Sequence, residues 1–158
     1  MRILLFIPAF ALTACEAIMA PVATPAVLGG VAPPPAVETL DPTPPPRPPA
    51  AARTVDQFDT TTAEDKAAAL AVKVDVPTAA LGTTEATLGP PAEPGIWLKT
   101  PLVKTLTMGR VSYQGKDANV ELRPSGGAAG SGSQISLAAM RLLEIPLTEI
   151  ATVDVFSE

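Results

Sequence analysis

The chain has 158 residues, 47% of them hydrophobic, but 27 of those are alanine. It carries 19 prolines, 11 glycines, a single cysteine, no histidine and a net charge of −5. These counts exclude a histidine-based catalytic triad, most histidine-ligated metal centres and any intrachain disulfide, and the length allows at most one ordinary domain.

Residues 1–14 read as an export leader. Arg2 precedes an apolar run from Ile3 to Leu12, and small residues follow. The run is too short to cross a bilayer as a mature helix. Leu12-Thr13-Ala14-Cys15 resembles the lipobox of bacterial lipoproteins. The resemblance implies cleavage between Ala14 and Cys15, a diacylglyceryl group on the Cys15 thiol and, as a rule, acylation of the freed amine. Two or three acyl chains anchor stably where one is marginal. Glu16 stands where an aspartate would resemble an inner-membrane retention signal, so the expected location is the periplasmic face of the outer membrane.

Residues 15–53 are expected to form a disordered spacer. Asp41 to Pro49 alone holds six of its prolines, which remove backbone donors and favour polyproline II. Fully extended, the spacer would reach roughly 120 Å. Residues 54–94 hold seven acidic side chains and two lysines, and so carry the whole net charge. They read as an acidic connector. Thr61 and Glu64 have the spacing of a capping box, which predicts a short helix over 63–73 that buries little because its apolar residues are mostly alanine.

Residues 95–158 are the expected domain. Val111 and Tyr113 alternate on one face, Val120 and Leu122 on another, with a four-residue polar loop at 114–117 between them, which predicts a β-hairpin. The glycine- and serine-rich stretch 125–133 precedes a helix but lacks the Gly-Lys-Ser/Thr ending of a phosphate loop, so it reads as a plain flexible loop. Ser136 is placed to cap a helix with Leu137, Met140 and Leu143 on one face, stopped before Pro146. Residues 150–156 alternate Val153 and Val155 with polar residues, as a final strand does. The expected class is α+β: a small, mainly antiparallel sheet or partial barrel with one short helix, behind a long disordered proline-rich tether.

Two family resemblances follow. The stretches 54–61, 97–103 and 132–143 look like a family of small alphaproteobacterial lipoproteins, whose members often carry the label galactarate dehydratase. More weakly, the order of hairpin, loop, Ile135-Ser136-Leu137-Ala138 and last strand is similar to the C-terminal half of the double-psi β-barrel of rare lipoprotein A. The resemblances imply an envelope lipoprotein, or alternatively an envelope enzyme acting on wall glycan or sugar acids as a dehydratase or lytic transglycosylase. Catalytic barrel members use an aspartate and a histidine; here the loop reads Arg123-Pro124-Ser125 and there is no histidine.

The expectation is therefore a non-enzymatic, membrane-tethered binding or structural module with no cofactor and no metal. Its partners are the bilayer, through the acylated cysteine, and peptidoglycan or an envelope protein. An acidic chain without a basic stripe does not suit nucleic acid. Trp97, the only tryptophan, with Lys99 and Tyr113, forms the candidate interaction set, since an exposed tryptophan beside lysine can stack on a sugar or anchor a protein. A lone tryptophan that closes a core is the structural alternative. Glu121, Glu144, Glu149 and Asp154 are expected to be solvated surface charges.

Overall fold

In a computed structural model that describes residues 39–72 and 79–158, six strands close into a barrel. The elements in chain order are α1 (Val55–Phe58), α2 (Ala63–Leu70), β1 (Ala79–Leu88), β2 (Trp97–Thr100), β3 (Thr107–Tyr113), β4 (Lys116–Pro124), β5 (Ser133–Ile135), α3 (Leu137–Leu142) and β6 (Ala151–Ser157). Around the barrel the order is β1-β5-β2-β4-β3-β6. Two pairings, β1 with β5 and β2 with β4, are parallel; the other four are antiparallel. The class is α+β, as the sequence predicts, and closure leaves the sheet with no free edge. The expected leader, Cys15, the first part of the expected spacer and Lys73 lie outside the described residues.

The hairpin forms where its alternation places it. Val111, Val120 and Leu122 are fully buried, and Tyr113 packs at the margin of the same core. Its loop is shorter than expected. Lys116 and Asp117 already pair with Tyr113 and Ser112, which leaves Gln114 and Gly115 as a two-residue turn. Both have positive φ, 48° and 82°, the type I′ geometry whose twist matches the flanking strands. A glycine supplies the second of these at no steric cost.

Ser136 caps α3 as predicted. Its hydroxyl accepts from the backbone N–H of Ala139 at 3.2 Å, and also from that of Trp97 at 3.1 Å, so one side chain serves both a helix start and a strand. The helix ends in a Schellman motif. Ile145 N–H reaches the Met140 carbonyl at 2.9 Å and Glu144 N–H that of Arg141 at 3.2 Å, with Glu144 at φ 55°. Leu137, Met140 and Leu143 are buried, the latter two in the core with Val153 and Val155.

Three expected boundaries need correction. The folded domain does not start at residue 95, because residues 79–88 of the supposed connector are barrel strand β1, held antiparallel to β6 along most of its length. The strand is bulged at Leu81, between Ala80 and Gly82. The end of the supposed loop, Ser133, belongs to β5. The last part of the spacer lies against the barrel: Pro45 is buried and Thr60 Oγ1 donates to the Pro46 carbonyl at 2.6 Å.

Helix α2 starts at Ala63, as expected, but its capping box lies one residue later than predicted. Thr62, not Thr61, accepts from Asp65 N–H at 3.1 Å, and Asp65 accepts from Thr62 N–H at 3.2 Å. Thr61 is buried and leaves the capping role to its neighbour. As expected of an alanine helix, α2 buries only Ala69. Ionic contacts supply the rest of its attachment. The buried Asp59 carboxylate accepts from Lys66 and from Arg141 of α3, both at 2.9 Å, and Asn119 of β4 donates to the Ala71 carbonyl at 3.3 Å.

Candidate functional site

Register sets the outer face of the barrel. Leu88, Ile135, Leu98 and Leu122 are paired neighbours across β1, β5, β2 and β4, and three of them are fully buried, so this row points inward. The adjacent row is Thr87, Gln134, Lys99 and Arg123. Because side chains alternate faces along a strand, it points outward. Four strands distant in sequence thereby bring two cations, an amide and a hydroxyl into one line.

Lys99 stands between two depressions. On one side is a recess of about 620 Å³ lined by Glu93, Lys99, Lys104, Thr105, Leu106, Arg123 and Pro124. On the other is a groove of about 480 Å³ bounded by Glu85, Thr87, Lys99, Ser125, Ser131, Ser133, Gln134 and Ile150, with Gly127 and Gly132 in its wall. The glycine- and serine-rich stretch thus supplies hydroxyls to one wall of a surface groove. Lys99 is half-buried and Lys104 exposed. Neither has a carboxylate within ion-pair distance among the described residues, whereas Lys66, Arg110, Lys116, Arg123 and Arg141 all do.

Arg123 is differently placed. Its Nε donates to Glu121 Oε1 at 2.6 Å, an Nη donates to Glu93 at 2.5 Å, and its guanidinium lies 5.2 Å from the Trp97 ring. Glu121 is 6% exposed, so the reading of it as solvated surface charge does not hold. Its second oxygen accepts from Thr39 Oγ1 at 2.8 Å and from the Leu40 backbone N–H. This carboxylate pins the end of the proline-rich segment to β4. Beside the contact lies a cavity of about 350 Å³ whose lining includes Leu40, Pro44, Pro45, Ala69, Ile96 and Met108.

The three sequence-nominated interaction residues separate. Trp97 is 0% exposed, so it offers no face to a ligand and the stacking role is withdrawn. It sits on the outer side of β2, next in register to Glu121, and is covered by the 89–95 segment. A Cβ on Gly89 would fall 2.5 Å from the Trp97 ring, and Trp97 Nε1 donates to the Glu93 carbonyl at 3.4 Å. Tyr113 lies beside the hairpin turn, its hydroxyl bonded to Gln114 at 3.0 Å. Lys116, its partner, is seven strand steps from Arg123, or about 24 Å. Lys99 alone lies in the polar surface.

Lys104, Arg123 and Gln134 were not singled out from sequence as binding residues. Arg123 and Gln134 reach Lys99 through barrel register, which no local pattern marks, whereas Lys104 lies in the loop that follows β2. Among the described residues no group of three or more cysteine, histidine, aspartate or glutamate side chains is placed to hold a metal ion, and no helix is long and apolar enough to cross a membrane. No protein-family model, curated protein or solved structure matches the chain.

Proposed function

We propose that this chain is an exported bacterial lipoprotein, anchored through Cys15 at the periplasmic face of the outer membrane, whose barrel is a non-enzymatic binding module of the cell envelope. Peptidoglycan is the first partner to test and an envelope protein the second. The observation that carries the reading is the open polar surface around Lys99, where two lysines without ionic partners among the described residues stand beside a groove lined by hydroxyls. Glu121, the buried carboxylate two residues before Arg123 on β4, is taken up by Thr39, Leu40 and Arg123, and so serves attachment rather than proton transfer.

Docking of residues 39–46 also revises the geometry of the tether. Residues 16–38 separate the anchor from the barrel, with a maximal extended reach of about 80 Å. Replacing Cys15 with alanine is expected to move the protein from the membrane to the soluble periplasmic fraction and to abolish labelling by radioactive palmitate. Retention in the membrane with the leader uncleaved would contradict lipid anchoring.

A further inference from the structure

We propose that the recess at Lys99 and Lys104 binds the anionic group of a hydroxyl-rich ligand, an acidic saccharide or a polyol phosphate, whose hydroxyls extend into the adjoining serine-lined groove. The inference rests on the binding-module reading and names the ligand chemistry of that site. Three observations converge on it.

The protein as a whole is acidic, with a net charge of −5, yet two lysines without ionic partners among the described residues line one recess. The one carboxylate in the lining of that recess, Glu93, is taken up by Arg123, so the charge of the two lysines is left for an anion to meet. Arg123 is already held by two carboxylates, so the lysines are the groups left to meet a ligand's charge.

Lys99 is also shared. It lines the recess and the groove together, so a ligand whose charge meets the ammonium group lies beside Ser131, Gln134 and Thr87. Those side chains donate and accept, as vicinal hydroxyls require, beside the carboxylate of Glu85 and the exposed side chain of Ile150. The two depressions, about 620 and 480 Å³, fall in the size range of small-molecule sites. Finally, the surface has no exposed aromatic platform, since Trp97 is fully buried, which disfavours single-stranded nucleic acid.

The test uses the mature chain from residue 15 with Cys15→Ser, which removes the lipid and keeps the rest. Binding is read by backbone amide shifts and calorimetry against three probes: a glucuronate-containing oligosaccharide, a glycerol phosphate oligomer and neutral chitotetraose. One acidic probe is expected to bind at least about ten-fold more tightly than chitotetraose, and which one identifies the anion as carboxylate or phosphate. Amides near Lys99, Lys104, Ser131 and Gln134 should shift. Raising ionic strength from about 0.01 to about 0.15 M shortens the screening length from about 30 to about 8 Å and should weaken binding.

Lys99→Met with Lys104→Met should lower affinity about ten-fold or more at unchanged melting temperature, while Lys99→Arg should retain most of it. Equal affinity for the neutral probe, or full binding by the double variant, overturns the proposal. If no probe binds but intact wall still sediments the protein, the ligand class is wrong while the module reading survives. If neither binds, both fall.

Discussion

Glu121→Ala is expected to lower stability by about 3 kcal/mol and to release the proline-rich segment from the barrel. The side chain is buried and receives hydrogen bonds from Thr39, Leu40 and Arg123. Its loss leaves the Leu40 N–H and the Arg123 Nε without their acceptor. Breaking a buried ion pair by removing one partner typically costs about 3–5 kcal/mol. The lower end applies because Glu93 remains on Arg123 at 2.5 Å. Urea unfolding measures the loss.

Limited trypsin digestion gives a second readout. Arg53 is exposed, and cleavage after it should accelerate when residues 39–46 detach, whereas Arg47 is protected by Pro48. Combining Glu121→Ala with Arg123→Met should recover part of the stability, since the stranded charge is then removed as well. A change below about 1 kcal/mol in the single variant would mean that the contact contributes little, as exposed pairs do.

Trp97→Ala carries the other large effect. A fully buried tryptophan truncated to alanine typically costs about 3–5 kcal/mol, through lost burial and the cavity left behind. At roughly 4 °C or more per kcal/mol in a domain of this size, the melting temperature should fall by about 15 °C. The ring fits tightly between Gly89 and the Arg123 guanidinium, so little can move in to refill its place. The result separates two roles for this residue. A tryptophan that stacked on a ligand would lose binding with the melt unchanged; one that seals the 89–95 segment onto the barrel loses the melt first.

The parts of the fold legible in the sequence are those whose signal is local. The hairpin, the Ser136 cap and β6 each show in alternation or capping chemistry over a few residues, and each forms in the structure. β1 was hidden because it is built from alanine and threonine, with only Thr84 and Ala86 buried. Threonines at 83, 84 and 87 were the one available strand signal, since β-branching favours extended backbone. β5 spans three residues, too few for any period to be seen.

Barrel closure depends on β1 pairing with β5 and β2 with β4, contacts that no hydrophobic pattern specifies. The same holds for the polar surface. Lys99 stands out in the sequence beside Trp97, but Gln134 and Arg123 reach it only through pairings across 35 and 24 positions of chain. Glu121 was misread because a carboxylate between Val120 and Leu122 alternates like any outward polar residue. Its burial comes from residues 39–40, far earlier in the chain.

The most direct test of a tethered binding module is sedimentation of the lipid-free mature chain with purified peptidoglycan sacculi, beside a Lys99→Glu, Lys104→Glu variant of equal melting temperature. The unsubstituted protein is expected to pellet with the wall and the charge-reversed one to stay in the supernatant. If the unsubstituted protein stays in the supernatant, or both pellet equally, the wall-binding role of this surface is contradicted.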